Sequence, residues 1–368
     1  MLIFEKAMLT MGKIILEKNA YSFDQILKGN WEEGDTYFNE ALHFCQSWLQ
    51  GQDSFLLQTS GSTGIPKTIT VDRIQMENSA TATRKFFRMA KNPRLLCCLN
   101  TQMIAGKMML VRAMMWDADL ILTKPKENPL EEELVDGEFD LVAMVPMQVA
   151  SCLSQNPSLQ KLRKIKTLLI GGAPSPKSLL ELVSKENISA FQTYGMTETV
   201  SHIALAKIAG TELVYETLPG VTIGIDLDKR LWIEAPMSKE KRLQTNDLVD
   251  IVDEKHFMWI GRSDFTINSG GFKIQPENLE SQIAPTIEAY YGKVEFFLFG
   301  LDDEKLGQKL VLVIESNRTD NEKAGKLLYS ISDLVHKYQI PKEVIFVKEF
   351  VKTPSGKINK SETIKSAK

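Results

Sequence analysis

The sequence predicts an α/β protein, with a large N-terminal domain of mostly parallel sheet and helices, an antiparallel β portion, and a small α+β C-terminal domain. Three observations carry this expectation. From about residue 54 to 193 short apolar runs alternate with helical stretches, the pattern of strands covered by crossover helices. From about 221 to 262 strands follow one another through tight polar turns, which is antiparallel β. After Arg262 helix and strand patterns recur to the end of the chain, a length sufficient for a small separate domain. The expected division is therefore 1–263 and 264–368, with no internal repeat.

In the first regime SFLLQ and KTITV read as strands joined by the polar turn within QTSGSTGIPKTIT, residues 58–70. A helix follows, with Asp72 as N-cap, Gln75 three residues on, and RIQMENSATATRKFFRM as its body, the signature of a capping box. RLLCCL, ADLILT, FDLVAMV, KTLLIGG and SAFQTYG then read as strands, and AGKMMLVRAMMW, PMQVASCLS and SPKSLLELVSKEN as the helices between them. The second regime holds TIGIDLDKRLWIEA and LVDIVDEKHFMWIG. The third runs from a helix, PENLESQIAPTIEAYY, through strands KVEFFLFG and LVLVIES to a helix EKAGKLLYSISDLVHKY and a last strand EVIFV.

Composition narrows the function classes. The chain has 368 residues, 43% apolar and 25% charged, with net charge −3, so it offers no global basic field for nucleic acid or a membrane surface. The lysine-rich end from Lys352 is short enough to be a solvated tail. The first apolar stretch contains Glu5 and Lys6, and MMLVRAMMW is interrupted by Arg112, so neither an export signal nor a membrane span is expected. Four cysteines without Cys-x-x-Cys spacing and four scattered histidines support neither a disulfide framework nor a zinc site. The chain reads as cytoplasmic.

Residues 61–68 nearly satisfy the commonest phosphate-loop pattern and then break it, because Pro66 stands where the second glycine belongs. Proline removes a backbone donor and fixes φ, so Lys67 cannot sit in the same cradle, and the strand-like Lys67–Val71 replaces the helix that should follow. A hydroxyl-rich turn can still offer Ser60, Ser62, Thr63 and backbone N–H groups to phosphate oxygens, though a bare surface turn is the plain alternative. KTLLIGGAPS ends a buried strand in Gly171 and Gly172, where a flat ligand can approach the backbone; an ordinary strand-to-helix turn has the same look. FQTYGMTETVSHIA supplies Tyr194, Thr197 and Glu198, an aromatic face, a hydroxyl and a carboxylate able to hold Mg²⁺ against phosphates, or a helix-capping pair. TNDLVD and GRSD place Asp247 among strands and Arg262 with Asp264 at the inferred boundary, and an aspartate there can bind ribose hydroxyls or merely sit in a turn. KTPSGKINK projects Lys357 from a Pro/Gly loop, or is a solvated charge run.

Together these segments resemble the adenylate-forming superfamily of acyl-CoA synthetases, luciferases and peptide-synthetase adenylation domains. The loop 59–67, YGMTE at 194–198, Asp247, GRSD at 261–264, SGGFKIQPENLE at 269–280 and PSGKINK at 354–360 occur in that family's order. The resemblance implies that Thr59, Ser60, Gly61, Ser62, Thr63, Gly64 and Lys67 fold over the ATP phosphates. It further implies that Gly171, Gly172, Ala173 and Tyr194, with Gly195 and Met196, frame the adenine, and that Glu198 beside Thr197 binds Mg²⁺. By the same resemblance Asp247 is expected to take the ribose hydroxyls near Arg262, and Lys357 to stabilise the reacting phosphate. The C-terminal domain is then mobile: it turns about Asp264 between two half-reactions, acyl-adenylate formation from Mg-ATP and thioester formation with CoA, bringing Gly270 and Gly271 beside the thiol. The partners implied are a small carboxylic acid, ATP and CoA.

The chain also departs from the family. Only 58 residues precede the loop, which implies a shortened N-terminal portion and leaves a homodimer open, and Asn246 stands where glycine usually precedes the ribose aspartate. NTQMIAGKMMLVRAM with GMTETVSHIA is most similar to the o-succinylbenzoate–CoA ligases of menaquinone synthesis, particularly compact forms. That acid keeps one carboxylate after the other is activated, and a desolvated anion needs a cation or several donors. Lys107 is the first candidate, Arg112 the second, and Ser201 a hydroxyl donor. An alternative is a stand-alone adenylation enzyme loading a carrier-protein phosphopantetheine, for which an amino-acid substrate would ask for an aspartate; Asp140 is the one on offer. A third is a regulatory nucleotide binder without catalysis, against which the retention of Glu198 and Lys357 argues.

Overall fold

The computed structural model describes residues 12–58, 68–352 and 358–367. Four elements missed in the sequence come first. β1 (Lys13–Ile15) and β2 (Ala20–Ser22) form an antiparallel pair, followed by α1 (Phe23–Lys28) and α2 (Thr36–Leu49). β3 (Ser54–Gln58) and β4 (Thr68–Asp72) then pair antiparallel in a two-stranded sheet of their own, as the hairpin-like reading expected. α3 (Arg73–Phe87) starts at the expected cap, Asp72, whose N–H donates to Gln75 Oε1 at 2.9 Å.

The alternating regime follows as β5 (Arg94–Cys97), α4 (Ile104–Trp116), β6 (Asp119–Leu122), β7 (Leu141–Met144), α5 (Pro146–Ser154), α6 (Asn156–Arg163), β8 (Leu168–Ile170), α7 (Lys177–Lys185) and β9 (Ala190–Gly195). The antiparallel regime comprises β10 (His202–Lys207), β11 (Tyr215–Thr217), β12 (Thr222–Ile225), β13 (Arg230–Glu234), β14 (Leu243–Ile251) and β15 (His256–Arg262). All but β3 and β4 join one sheet in the order β12-β13-β14-β15-β11-β10-β9-β8-β7-β5-β6-β1-β2. From β9 to β1 neighbouring strands run parallel; β2 and β10–β15 are antiparallel to their neighbours.

The period of two explains why both faces of the parallel part are buried. Leu95 and Cys97 face a core with Phe38 and Leu42 of α2 and Met109 and Ala113 of α4, whereas Leu96 and Cys98 face a second core with Val149 of α5 and Leu180 and Val183 of α7. Such strands read as continuous apolar runs. α4 comes unusually close to the chain before it, since a Cβ at Gly106 would lie 2.3 Å from Asn100 O and 2.8 Å from Thr101 Cα. Gly106→Ala should therefore destabilise the fold by about 1–3 kcal/mol through overpacking, seen as a lowered thermal midpoint; an unchanged midpoint would mean that α4 can shift freely.

Beyond β15 a short turn, Ser263–Phe265, leads into the smaller C-terminal portion. It contains β16 (Ile267–Ser269), β17 (Phe272–Ile274), α8 (Pro276–Tyr291), β18 (Phe296–Asp303), β19 (Gly307–Glu315), α9 (Asn321–Ser332), β20 (Glu343–Val347) and α10 (Lys360–Ser366). The strands form a separate sheet, β17-β16-β19-β18 with β20 parallel to β19. One face packs Leu279, Ile283 and Ile287 of α8 against Leu327 and Ile331 of α9, and the other is closed by Phe350 and Ile364. α9 is shorter than its apolar period suggests: its C-cap is Asp333, and by His336 the chain is extended.

Candidate active site

The C-terminal ends of β8 and β9 build the first wall. Gly171 N–H donates to Met144 O at 3.1 Å, continuing the β7 ladder by one residue, and Gly172 then turns with φ +85°, a conformation that favours glycine. A Cβ at Gly171 would lie 2.3 Å from Thr193 Oγ1, so the neighbouring strand's hydroxyl occupies that space. Gly172 and Ala173 are exposed, leaving bare backbone at the sheet edge. Gln192, buried in β9, braces this loop: its Nε2 donates to Ala173 O at 3.1 Å and its Oε1 accepts from Ser175 Oγ at 2.5 Å. Sequence reasoning missed Gln192; its only signal was a polar residue in an apolar strand.

Tyr194 joins this wall to the antiparallel strands. Its ring meets Tyr215 and Phe257 edge-on, at centroid distances of 5.8 and 5.2 Å, and its hydroxyl donates to Asp247 Oδ2 at 2.7 Å. Burial, and then the Asp247 charge, push the phenol well above its ordinary range. Trp259 Nε1 donates to Asp247 Oδ1 at 3.2 Å. Each carboxylate oxygen thus takes one donor and retains a lone pair, which suits a pair of ligand hydroxyls. Asp247 and Arg262 stand opposite each other in the β14–β15 ladder, with Arg262 Nη1 3.9 Å from Asp247 Oδ1. Arg262 also grips Asp264 with two bonds, Nε to Oδ1 at 2.9 Å and Nη2 to Oδ2 at 2.7 Å.

Between β9 and β10 the chain reverses in a strained turn. Gly195 is required by close approach, because a Cβ there would lie 2.4 Å from Ser201 O and 2.5 Å from His202 Cα. Thr199 is fully buried and closes the turn: its Oγ1 accepts from Met196 N at 3.2 Å and lies 2.9 Å from Ser201 O. Val200 has φ +64° and ψ −50°, strain of about 1–3 kcal/mol for a β-branched residue. Its burial among Met76, Met108 and Val111 holds it there. The turn presents Glu198 outward and exposed, with Thr197 half-buried beside it. Glu198 makes no hydrogen bond or ion pair among the described residues, and no group of three or more His, Cys, Asp or Glu among them could by itself hold a metal ion. One free carboxylate beside a hydroxyl fits Mg²⁺, which usually takes one or two protein carboxylates and leaves its other positions to water and phosphate oxygens.

On the inner side of the same turn Ser201 meets α4. Arg112 Nη2 donates to Ser201 Oγ at 3.0 Å and Nη1 reaches Met109 Sδ at 3.6 Å, while Nε has no partner among the described residues. The side chain is buried, and no carboxylate among the described residues pairs with it. Burial lowers the guanidinium to about 10, with a smaller opposite effect of Cys97, so it stays cationic at neutral pH. Lys107 is elsewhere. Five residues apart on a helix is roughly 140° around the axis, and Lys107 Nζ donates to Thr101 O at 3.1 Å over the Phe44 ring. Burial, ahead of the opposing effect of Glu40, lowers its pKa. The structure therefore unites Arg112 with Ser201 and separates both from Lys107. Asp140 is committed to structure, accepting from Arg94 N at 2.8 Å and Lys166 Nζ at 3.0 Å.

In the C-terminal portion Ser269 is buried, and Gly270 and Gly271 follow with φ of +58° and +84°. A Cβ at Gly271 would meet nothing within 4 Å. Thr59, Ser60, Gly61, Ser62, Thr63, Gly64, Lys67 and Lys357 lie outside the described residues. No helix among the described residues is long and apolar enough to cross a membrane.

A doubly covered sheet with exposed glycine backbone at strand ends, and a carboxylate turn beside it, is the arrangement in which open α/β sheets take ligands beyond the carboxyl ends of their strands. The chain belongs to the AMP-binding enzyme family, whose model matches residues 7–226. It is 26% identical over 352 residues to the 2-succinylbenzoate–CoA ligase of Listeria monocytogenes serotype 4b (strain F2365), covering 88% of this chain and 72% of that one. It is 25% identical over 376 residues to the enzyme of the same name from Bacillus cereus (strain Q1), covering 93% and 74%. Among solved structures it is similar to an acyl-CoA synthetase (AMP-forming)/AMP-acid ligase II-like protein from Dyadobacter fermentans DSM 18053, with 40% identity, a TM-score of 0.62, and coverage of 93% of this chain and 97% of that one. The O-succinylbenzoate coenzyme A synthetase of Bacillus subtilis in complex with ATP and magnesium ion shares the fold, with a TM-score of 0.72 at 22% identity, covering 84% of this chain and 69% of that one.

Proposed function

We propose that this chain is an ATP-dependent acid–CoA ligase whose acid carries a second carboxylate, with o-succinylbenzoate (2-succinylbenzoate) the leading candidate and menaquinone synthesis the corresponding context. The observation that carries the reading is Arg112, a buried cation bonded only to neutral groups among the described residues. A desolvated guanidinium costs several kcal/mol unless an anion meets it. The names of the curated relatives support the same acid.

In the first half-reaction a carboxylate oxygen forms a bond to the α-phosphorus of ATP, and the bond to the bridging oxygen breaks with its electron pair leaving on pyrophosphate. The nucleophile is already anionic at neutral pH, so positioning and charge stabilisation carry the step. Gly172, Ala173 and Tyr194 would frame the adenine, Asp247 would take the ribose hydroxyls, and Glu198 with Thr197 would hold Mg²⁺. When bound, that ion supplies charge neutralisation at the phosphates. Lys357 would add a cation from the C-terminal side. In the second half-reaction the CoA thiolate adds to the acyl carbon and AMP departs, after the C-terminal portion has turned about Asp264.

The test is pyrophosphate exchange across aryl, fatty and amino acids, followed by thioester detection with CoA. Exchange should be strongest with the dicarboxylate, and a CoA thioester should form; exchange with amino acids alone would overturn the reading. Gly271 tests the alternation separately. Gly271→Leu sets a bulky side chain where the pantetheine arm would pass, so thioester formation from supplied acyl-adenylate should fall about tenfold, as for overpacking of a fitted site. Pyrophosphate exchange by the same variant should persist. Equal losses in the two assays would mean that this face does not serve the thiol step.

A further inference from the structure

His202 opens β10 directly after Ser201, and it is buried. Its two ring nitrogens have different neighbours. Nδ1 lies 3.3 Å from Ser201 Oγ and Nε2 lies 3.1 Å from Thr83 Oγ1 on α3, a residue 119 positions away in the chain. Thr83 Oγ1 in turn lies 2.9 Å from Ser79 O, and Ser201 Oγ accepts from Arg112 Nη2 at 3.0 Å.

We propose that His202 is a positioning residue: as its neutral Nε2–H tautomer it links Arg112, Ser201, Thr83 and Ser79 in a chain of hydrogen bonds that all point one way. The inference rests on the reading of Arg112 as the group that meets the second carboxylate of the acid. The direction follows from counting protons. A guanidinium only donates and a backbone carbonyl only accepts, so the two ends of the chain are fixed. With Nε2–H, Arg112 donates to Ser201, Ser201 to His202 Nδ1, His202 to Thr83, and Thr83 to Ser79 O, and every bond is made. With Nδ1–H the serine oxygen would face two donors and its own proton would find no acceptor among the described residues. The threonine proton would then have to leave Ser79 O for Nε2. The imidazolium form would face the same surplus of donors beside a buried guanidinium. Burial first, and then the Arg112 charge, hold the ring well below its ordinary range and so in the neutral form.

The consequence is geometric. Ser201 has one hydroxyl proton, and His202 Nδ1 draws it away from Arg112, leaving the serine lone pairs toward the guanidinium. That fixes the rotamer of Ser201 and the plane of Arg112 before any acid arrives, an ordering that would otherwise be lost on binding. Because Thr83 belongs to α3 and Arg112 to α4, the chain also locks these two helices to the turn that carries Glu198.

Two measurements test this. In protein labelled with ¹⁵N at histidine, the His202 ring at pH 7.5, assigned by its disappearance in His202→Phe, should show the neutral Nε2–H pattern. An Nδ1–H tautomer or an imidazolium would overturn the proposal, and this readout needs no variant to be active. For steady-state rates, His202→Phe and Thr83→Val should raise KM for o-succinylbenzoate about tenfold while changing KM for a monocarboxylate analogue less than about twofold. His202→Asn, whose amide oxygen can still accept from Ser201, should recover part of the loss. Equal effects on both acids, or no recovery by asparagine, would reduce His202 to a packing residue. Arg112→Met separates the two readings. If it leaves the preference between acids unchanged, the dicarboxylate reading fails whatever His202 does; if it abolishes the preference and His202→Phe does not, the positioning role alone fails.

Discussion

Glu198→Ala should lower pyrophosphate exchange by about 10²–10³-fold, the usual effect of losing one preorganised electrostatic group, while the protein stays folded. The two halves of this expectation have separate grounds. Glu198 is exposed and makes no hydrogen bond or ion pair among the described residues, so its removal should change stability by no more than about 0.5 kcal/mol. Its place is nonetheless held at a cost. Val200 at φ +64° and the fully buried Thr199 keep the turn closed, and strain of that kind persists only where the surroundings enforce it. Glu198→Gln retains shape and removes charge, so it should fail like alanine. Normal exchange by either variant at low Mg²⁺ would take Glu198 out of the metal role.

The legibility of this site in the sequence was uneven for physical reasons. Strands such as RLLCCL and KTLLIGG announced themselves because burial on both faces leaves a continuous apolar run. The glycine edge, Tyr194, Asp247 and the Arg262–Asp264 pair were legible as candidates because each lies in a short, ordered segment, and the structure places Tyr194 against Asp247 at 2.7 Å. β1 and β2 were missed because three residues each carry no period; they exist by pairing with β6 and with each other. Gln192 and the Thr83–His202 contact were missed because their partners are remote in sequence or are backbone atoms. The order of Lys107 and Arg112 turns on orientation, and the structure puts Arg112 at Ser201 and Lys107 at Thr101 O. That the two point roughly 140° apart follows from helix geometry, but which of them faces β10 depends on how α4 packs.

That orientation makes Arg112 the residue on which stability and activity should part. Replacing a buried, carboxylate-free guanidinium by an apolar side chain of similar length removes a desolvation cost, so Arg112→Met should fold at least as stably as the parent. Ser201 would lose a donor yet keep His202 as acceptor for its own proton. Catalysis should move the other way. Truncating one partner of a buried charge pair is worth about 2–5 kcal/mol, and that loss should fall on kcat/KM for o-succinylbenzoate while sparing a monocarboxylate analogue that never reached the guanidinium. Lys107→Met is the matched control: its ammonium is turned away from Ser201, to Thr101 O at 3.1 Å, so its effect on the preference between the two acids should be small. Measuring thermal midpoints and both kcat/KM values for the two variants decides the matter. A destabilised Arg112→Met that loses activity equally toward both acids would make Arg112 a structural cation, and Lys107 would then have to supply the charge that the second carboxylate needs.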